Sequence, residues 1–478
     1  MTLPDKNVTA LAANAADRLL EKIELSYIDP HDLKLYEREL RIHTSKQLDK
    51  MAGAMQAFGF VDPVLVGRNN EVIDGSARVA VAIRLGINPI PQIVIGHLDD
   101  TEQRMLRLCL NHLQQLGEFN MKELRVELLQ LSTIELVHSI EVTGFDHVEI
   151  DNIISQPPAD PGEADPADED IPPPADPVTQ TGDLWLLKSH RLLCGSALDA
   201  GAWDRLMEGS TATMCFADIP FNVPIKGHVS GTGRHAEFVM ASGEMSETQY
   251  IAFITQGLEV MISHLADGAV IDICIDWRHQ YEVLCAARAV GLSLINLCVW
   301  NKCNGGMGSL YRSKHELVLI FKKGSAPHIN NVQLGKFGRS RSNVWDYAGA
   351  NSFGKTRDED LKDHPTKKPL ALVADAIRDV SHRGHIVVDG FVGSGTTLLA
   401  AHRTGRIGYG IEIAPNYVDV AIQRWQKMAS GEAVLEETGE TFAQVKARRA
   451  AEHSAAVPDP APIYRPEIQP RLRGQLAA

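Results

Sequence analysis

The sequence predicts a doubly wound, Rossmann-like α/β sheet in the C-terminal half of the chain and a smaller α/β domain near the N-terminus. Three stretches of the C-terminal half carry this prediction. Residues 386–389 form an apolar strand that breaks into a glycine-rich turn and resumes as a helix. Residues 407–412 form the next strand, and residues 213–218 form an earlier one that ends in a carboxylate. Apolar strands alternating with helices are typical of parallel sheets that are covered on both faces.

Composition and periodicity divide the chain into six segments. In order, they are a flexible N-terminus (1–20), a small α/β domain (21–98), a helical segment (99–154), an acidic, proline-rich linker (155–180), the main α/β domain (181–430) and a partly disordered tail (431–478). In the small domain, the apolar spacing of residues 45–58 predicts an amphipathic helix between two strands. In the main domain we expect strands near residues 269–275, 294–300 and 317–321, and a loop over 324–363.

The acidic charge of the chain is concentrated in the linker. The formal net charge is −14, which by itself argues against a nucleic-acid partner. Residues 155–180 contain seven acidic residues, eight prolines and no lysine or arginine. Such a stretch cannot bury a core and extends by self-repulsion. The net charge therefore says little about the surfaces of the folded domains.

Two patterns that the sequence lacks exclude some classes of protein. The sequence has no apolar run of about 18 residues and no signal-peptide pattern at its start, so we expect no membrane association and a cytoplasmic location. The seven cysteines are scattered without a Cys-x-x-Cys pair. We therefore expect buried, reduced thiols and no metal site.

The glycine-rich turn is a candidate cofactor site. Gly393 and Gly395 let the backbone approach a ligand closely, and the helix that follows offers unpaired N–H groups. Glu412 lies 23 residues beyond Asp389. An acidic residue roughly 20 residues on reaches ribose hydroxyls in nucleotide-binding α/β folds. The pattern predicts a nucleotide-like cofactor, with a purely structural turn as the alternative.

The second candidate site is the turn after residues 213–218, which reads Asp218, Ile219, Pro220, Phe221. A carboxylate and a turn carbonyl can together hold an amino group on a flat ring, while an aromatic side chain stacks on that ring. The turn therefore predicts chemistry on the amino group of a nucleobase.

Together the two stretches resemble the Asp-Pro-Pro-Tyr/Phe and Asp-x-Phe-x-Gly-Ser-Gly-Thr motifs of amino-group (N6-adenine or N4-cytosine) DNA methyltransferases. Their order resembles the beta class of that family. The resemblance implies S-adenosyl-L-methionine as cofactor, double-stranded DNA as substrate, and a methyltransferase sheet with permuted motif order. It implies catalytic roles for Asp218, Ile219, Pro220 and Phe221, and cofactor binding by Asp389, Phe391, Gly393, Ser394, Gly395, Thr396, Thr397 and Glu412.

Other stretches extend this resemblance. Residues 364–369 are similar to the family's His-Pro-Thr-Gln-Lys-Pro, which implies that Thr366 and Lys368 line the cofactor site. The stretches 300–302 and 311–316 match family positions that we interpret as ordering the sheet and the base pocket. Three positions depart from the pattern, and the first is Lys367, which replaces the family's Gln. Ile219 replaces a proline, which predicts a looser turn, and Ser196 stands where the family frequently has Asp.

A basic region precedes the cofactor motif. From residue 302 to residue 368, 13 lysines and arginines stand against six acidic residues. Such an excess is typical of a phosphate-binding surface, although a solvated basic loop remains the alternative. The resemblance places target recognition at 324–363, and the candidates for DNA contact are Lys336, Arg339, Arg341, Lys355 and Arg357.

Residues 21–98 resemble the ParB-like N-terminal domain of chromosome-partition proteins. The resemblance rests on residues 59–66, on Asp74-Gly75-x-x-Arg78 and on residues 85–86. It implies a nucleotide at Gly75 and Arg78, which we leave open because Ser76 stands where family members commonly have His. A docking fold without chemistry is the alternative. A homodimer is left open as well.

The expected function is site-specific methylation of DNA at the N6 amino group of adenine, with the base flipped out of the duplex. Adenine is favoured because Asp at the first motif position resembles adenine-specific members. The alternatives are an N4-cytosine methyltransferase and a catalytically weak, ParB-like DNA-binding adaptor. No stretch suggests a fused endonuclease, so a modification enzyme without a nuclease of its own is the simpler interpretation.

Overall fold

The computed structural model describes residues 24–37, 40–134, 136–154, 166–168, 171–222, 243–302, 310–333, 341–347 and 368–456. The chain divides into two compact units, residues 1–156 and 157–478. Within the described ranges, no helix has both the length and the apolar character that crossing a membrane requires.

The first unit is a four-stranded sheet with helices. The strands, in the order β1-β4-β2-β3, are β1 (Leu25–Ile28), β2 (Val64–Val66), β3 (Val72–Asp74) and β4 (Ile90–Val94). The helices are α1 (Ser45–Phe58), α2 (Ser76–Leu85), α3 (Asp100–Leu116), α4 (Met121–Thr133) and α5 (His147–Ile154), with 3-10 turns at Pro30–Asp32 and Ile140–Thr143. The predicted helix at 45–58 and the helical segment after residue 99 are confirmed. Thr44 starts α1 by accepting a hydrogen bond from the Gln47 N–H at 3.2 Å.

The second unit contains a ten-stranded sheet in the order β11-β9-β10-β8-β7-β12-β13-β6-β5-β14. Its strands are β5 (Leu184–Leu187), β6 (His190–Cys194), β7 (Ala212–Asp218), β8 (Leu265–Ile275), β9 (Ser293–Asn301), β10 (His315–Lys322), β11 (Val344–Asp346), β12 (Ile386–Asp389), β13 (Ile407–Glu412) and β14 (Val434–Leu435). Its helices are α6 (Ala200–Met207), α7 (Glu247–Ser263), α8 (Gln280–Ala289), α9 (Leu370–Val380), α10 (Thr396–Arg403), α11 (Pro415–Ala429) and α12 (Phe442–Ala456).

The centre of this sheet is parallel and doubly wound. Strands β6, β13, β12, β7 and β8 pair in parallel, while β10 runs antiparallel between β8 and β9. Buried side chains cover both faces, with Trp425 and Ile377 on one side and Trp203 and Tyr250 on the other. The predicted doubly wound, Rossmann-like sheet is confirmed.

The strand order reverses between β7 and β12. The chain goes from β12 through α10 to β13 on one side, and from β7 through α7 to β8 on the other. Asp218 ends β7 and Asp389 ends β12. Ligands of open α/β sheets bind at such a switch point, outside the carboxyl ends of the strands. The fold therefore brings the two predicted motifs to one place.

Part of the predicted linker is packed against the second unit, which corrects the expectation of an extended chain. Asp168, in the 3-10 turn Pro166–Asp168, accepts hydrogen bonds from the Leu370 N–H, with both oxygens at 3.2 Å. The N–H groups of Val178 and Thr179 donate to Asp419 at 2.6 and 3.0 Å. Composition does not reveal these contacts because their partners lie some 200 residues further along the chain.

Two other regions also differ from the sequence expectation. The predicted tail from residue 431 is folded up to residue 456, because β14 pairs with β5 and the Phe442 ring packs 5.3 Å from that of Trp185. The expected loop at 324–363 contains β11, which pairs in parallel with β9. Both strands are too short, at two and three residues, to stand out in the sequence.

Candidate active site

The turn after β7 is held by side chains from neighbouring segments. The Tyr250 hydroxyl, in α7, donates a 2.6 Å hydrogen bond to the Pro220 carbonyl. Asn222 accepts hydrogen bonds from the Gly243 and Met245 N–H groups at 3.1 and 3.2 Å, and its amide donates to the Met245 carbonyl at 2.8 Å. The Ile219 side chain is buried. These contacts fix the turn at a position where the family motif has a proline.

A chain of alternating charges starts at Asp218. The Lys368 ammonium lies 2.6 Å from Asp218 Oδ2 and 2.7 Å from Glu316 Oε1. The Lys302 ammonium lies 2.9 Å from Glu316 Oε2. Two aromatic rings flank these ammonium groups: Lys368 Nζ is 5.3 Å from the centre of the Phe221 ring, and Lys302 Nζ is 4.6 Å from that of Trp300. The carboxylate that the sequence singled out is thus the outer end of a buried ionic network.

The pKa values in this network follow from burial and from the alternation of charge. Burial raises the pKa of Asp218 to about 6, the Lys368 ammonium limits the rise, and the Glu316 carboxylate adds to it. Burial alone would raise the pKa of Glu316, but Lys368 and Lys302 outweigh it, so that pKa is lowered. Burial would lower the pKa of Lys368, but Asp218 and Glu316 outweigh it and raise that pKa. Lys368 is therefore charged at neutral pH.

The glycine-rich turn after β12 is organised by two carboxylates. Asp389 accepts a hydrogen bond from the Phe391 N–H at 2.8 Å and one from the Thr397 hydroxyl at 2.6 Å. Glu412, at the end of β13, accepts from the Gly393 N–H at 2.7 Å and from the Ala414 N–H at 2.9 Å. Both carboxyls are buried. The two acidic residues that the sequence predicted 23 positions apart thus meet at one turn.

Burial also determines the protonation of these two carboxyls. It raises the pKa of Asp389 to about 7, against the lowering effect of the Thr397 and Phe391 hydrogen bonds. Burial likewise raises the pKa of Glu412, against the backbone N–H groups that bind it. A carboxyl of this kind can accept hydrogen bonds from the hydroxyls of a ligand at neutral pH. The two carboxyls of this turn therefore fit a nucleotide-like cofactor.

The turn requires glycine at two positions, for its backbone conformation and for close packing. Gly393 and Gly395 adopt φ values of 53° and 90°, a region that favours glycine. A Cβ on Gly395 would lie 2.7 Å from the Ala421 Cβ, so a side chain there would push α10 away from α11. Close packing of these helices holds the turn at the end of β12.

Comparison with known proteins assigns the chain to a family. Residues 212–423 match the family model described as DNA methylase, and residues 122–181 match the ParB-methyltransferase HTH domain. The type II methyltransferase M2.DpnII of Streptococcus pneumoniae is 30% identical over 233 residues, which make up 46% of this chain and 84% of that protein. The chain belongs to the amino-group (N6-adenine or N4-cytosine) DNA methyltransferases.

Two further proteins are similar to part of this chain. The type II methyltransferase M.HpaI of Haemophilus parainfluenzae is 26% identical over 256 residues, covering 51% of this DNA methyltransferase and 76% of that protein. The crystal structure of the M1.HpyAVI–SAM complex matches 47% of this chain and 95% of that one, at 19% identity and a TM-score of 0.35. The helix-turn-helix match includes α4 and α5, which the sequence analysis had placed in a helical segment without a specific role.

Arg424 is a component of the methyltransferase site that sequence reasoning missed. Its buried guanidinium donates to the Ser394 carbonyl at 2.7 Å, to the Ser394 hydroxyl at 2.9 Å and to the Ala167 carbonyl at 3.0 Å. It thereby ties the glycine-rich turn to the docked linker. The signal in the sequence was an arginine within the apolar stripe of α11, beside Ala421 and Trp425.

A small apolar pocket borders both motifs of this methyltransferase. It lies between α6 and α7 and the residues that follow β7 and β12. Ile219 lines it from the catalytic turn, and Gly390 and Phe391 line it from the cofactor turn. The Phe391 ring is 6.3 Å from that of Phe253 in α7. The two motifs therefore share one apolar support.

Several predicted positions lie outside the described residues. Among them are one cofactor candidate and four of the five candidates for DNA contact, namely Thr366, Lys336, Arg339, Lys355 and Arg357. Their roles stay predictions. Ser196 is described, and its hydroxyl accepts a hydrogen bond from the Leu198 N–H at 3.2 Å.

Arg341, the fifth candidate for DNA contact, has several intramolecular partners. Its guanidinium lies 2.7 Å from an Asp379 carboxylate oxygen and 3.3 Å from one of Asp375, and it donates to the Tyr347 hydroxyl at 2.8 Å. It also lies 5.2 Å from the centre of the Trp345 ring. These contacts give Arg341 a structural role in anchoring β11 to α9, and DNA contact by this residue stays a prediction.

In the first unit, the two residues that are predicted to bind a nucleotide, Gly75 and Arg78, lie close together. Gly75 precedes α2 with φ 103°. The Arg78 guanidinium donates to Asp74 at 2.9 Å and to Asp62 at 2.5 Å. The arginine is thus bound by two carboxylates of its own domain. Nucleotide binding by this methyltransferase stays a prediction.

Proposed function

We propose that this methyltransferase transfers a methyl group from S-adenosyl-L-methionine to the N6 amino group of adenine in double-stranded DNA. The observation that carries the proposal is the position of Asp218. It ends β7 at the switch point of the sheet, with Lys368 on one oxygen and the Phe221 ring beside it. Asp389 and the glycine-rich turn lie at the end of the neighbouring strand.

The carboxyls and backbone N–H groups of the glycine-rich turn fit S-adenosyl-L-methionine, which supplies an electrophilic methyl group when it is bound. Glu412 is the residue that would accept hydrogen bonds from the ribose hydroxyls. The backbone of residues 393–397 and the carboxyl of Asp389 would hold the remainder of the molecule. Lys368 contacts Asp218 and Glu316, and its predicted contact with the cofactor remains part of this proposal.

The chain's task is to make the amino nitrogen available. The lone pair of adenine N6 is delocalised into the ring. Asp218 accepts one N–H hydrogen bond and the Ile219 carbonyl accepts the other, which favours the pyramidal nitrogen that attacks the methyl group. Phe221 stacks on the base after it has rotated out of the duplex, which costs a few kcal/mol of unstacking. Positioning supplies much of the acceleration.

Adenine is proposed over cytosine because an Asp opens the catalytic motif, as in the adenine-specific members that the sequence resembles. The helix-turn-helix match at residues 122–181, which begins in the first unit and ends in the second, supports a further DNA contact, because such modules place a helix in the major groove. A cytoplasmic location is part of the same proposal.

The test is transfer of labelled methyl groups from S-adenosyl-L-methionine to unmethylated genomic DNA. We expect the wild-type protein to label DNA and Asp218→Ala to lose at least about 100-fold of the rate, with unchanged cofactor affinity. Asp204→Ala is the control, because that carboxylate lies exposed on α6. Binding of cofactor and DNA without any transfer by the wild-type protein would contradict the proposal and favour the DNA-binding adaptor.

A further inference from the structure

We propose that Lys368 is a positioning residue for methyl transfer, whose ammonium, backed by Glu316 and Lys302, keeps Asp218 ionised and ready to accept the amino group. The inference rests on the proposed function, because it assumes that Asp218 contacts the acceptor amino group. It changes the role of Lys368, which the sequence had assigned to the cofactor site alone.

The geometry places the ammonium where it acts on one oxygen of Asp218. Lys368 donates to Oδ2 at 2.6 Å. Within the part of the chain that the structure describes, the hydrogen bonds to this carboxylate involve Oδ2, so Oδ1 is the oxygen for the base. The Asp218 side chain is 28% exposed and can be reached, whereas that of Lys368 is 3% exposed. A buried ammonium is screened little by solvent and acts strongly on its neighbour.

Glu316 and Lys302 explain why a buried ammonium is tolerated here. Lys368 has a carboxylate on each side, at 2.6 and 2.7 Å, and Lys302 neutralises the outer oxygen of Glu316 at 2.9 Å. The four groups together carry no net charge. A buried ion is costly unless it is paired, so the alternation lets Lys368 stay beside Asp218. Lys368 is followed directly by Pro369, the N-cap residue of α9, which fixes its backbone.

The place where Asp218 and Glu316 both contact Lys368 also has the residue types of a metal site. Ligand atoms of Asp218, Cys274 and Glu316 lie within 4.8 Å of one another. However, the Lys368 ammonium lies within 2.7 Å of both carboxylates. The lysine therefore supplies the positive charge that a cation would supply at this junction.

Because of the charges around Asp218, the proposal predicts opposite effects on its protonation when Lys368 and when Glu316 is replaced. Among the described residues, the titratable groups that face its carboxylate are Lys368, Lys302, Glu316, Asp389, Cys274 and Tyr250. Two are cations, two are carboxyls and two are neutral. Removal of Lys368 leaves Asp218 buried beside carboxyls and favours its protonated form. Removal of the Glu316 charge removes a carboxylate that repels the charge on Asp218, and it favours the ionised form.

The experiment is a pH profile of single-turnover methyl transfer by the full chain, from about pH 5.5 to about pH 9. For Lys368→Met we expect the acidic midpoint to rise by about one pH unit or more, so that the loss of rate is at least about fivefold greater at pH 6 than at pH 9. For Glu316→Gln we expect the midpoint to fall. The dissociation constant for S-adenosyl-L-methionine stays within about threefold in Glu316→Gln, which leaves Lys368 in place, and the rates of both variants are measured at saturating cofactor.

Lys323→Met is the matched control. That ammonium donates to the Ile262 and Leu265 carbonyls, near the opposite end of β10 from Glu316. We expect its acidic midpoint to match that of the wild type. An equal loss of rate at every pH for Lys368→Met, or an upward shift for Glu316→Gln, would overturn the inference.

A second readout does not depend on activity or on one variant. The infrared carboxylate band of Asp218, identified by its absence in Asp218→Asn, reports its protonation directly. We expect its midpoint to shift up in Lys368→Met and down in Glu316→Gln, and unchanged midpoints would overturn the inference. If Lys368→Met fails to fold, the Glu316→Gln shift decides. A wild-type protein that shows these shifts but transfers no methyl group would contradict the proposed function alone.

Discussion

Asp218 and Asp389 are carboxyls at the ends of neighbouring strands, the first partly exposed and the second buried, and their partners differ. Asp218 is bound by an ammonium, and its pKa is raised to about 6. Asp389 is bound by a hydroxyl and a backbone N–H, and its pKa is raised to about 7. The first arrangement favours an ionised acceptor for the base. The second keeps a carboxyl that can hold a ligand or a proton near neutral pH.

The raised pKa of Asp389 predicts a pH-dependent stability. Between its ordinary pKa of 3.8 and about 7, the folded state binds the proton and the unfolded state releases it. This carboxyl therefore stabilises the fold at low pH, and its contribution is lost as the pH rises towards 7. We expect the unfolding free energy of Asp389→Asn, relative to wild type, to increase by up to about 4 kcal/mol from pH 4 to pH 8.

Urea denaturation at a series of pH values measures this difference. Glu259→Gln is the control, because its side chain is exposed on α7. A pH-independent difference between Asp389→Asn and wild type would show that Asp389 is ionised throughout.

The residues of the site were predictable to different degrees. Asp218 and Glu412 stand at strand ends beside turn residues, which a local pattern shows. The pairing of Lys368 with Asp218 joins positions 150 apart in the chain. Tyr250 and Arg424 act through hydrogen bonds to distant backbone carbonyls. Such partners depend on packing, so the sequence around each residue does not contain them.

At the scale of elements, the glycine-rich turn depends on the close approach of α10 and α11. Gly395 combines φ 90° with a position at which a Cβ would lie 2.7 Å from the Ala421 Cβ. We expect Gly395→Ala to lose about 1–2 kcal/mol of stability through backbone strain and a further 1–3 kcal/mol through overpacking. Because the turn must then shift, cofactor affinity should fall as well.

Gly384 provides a matched control for this prediction. It has a similar φ of 79°, but a Cβ there would meet nothing within 4 Å among the described atoms. Gly384→Ala should therefore show the strain alone and keep the wild-type cofactor affinity. Thermal denaturation and calorimetric titration with S-adenosyl-L-methionine measure the two effects. Equal losses in both variants would mean that the helix contact is unimportant.

Long apolar or periodic elements were predictable, whereas short ones at the margin of the sheet were not. Helix α1 and the central strands follow from periodicity and from apolar runs. Strands β11 and β14 have three and two residues, and they exist because β9 and β5 offer an edge. The docked linker depends in the same way on Asp419 and on the start of α9. Local propensity is weak in such segments, so the partner decides the structure.

At the scale of the whole molecule, the acidic net charge is compatible with a DNA methyltransferase once the acidic linker is counted separately. Seven of the acidic residues lie at 155–180, and 13 basic residues lie at 302–368. The helix-turn-helix match begins in the first unit and ends in the second, and the methylase match lies in the second. Each unit has a hydrophobic core of its own.

The central claim is that this chain methylates adenine at N6, and the identity of the modified nucleoside tests it most directly. Unmethylated genomic DNA would be treated with the full chain and isotopically labelled S-adenosyl-L-methionine, digested to nucleosides and analysed by mass spectrometry. The account predicts label in N6-methyladenine, and none with Asp218→Ala. Label in N4-methylcytosine would contradict the base assignment while keeping the chemistry of the site.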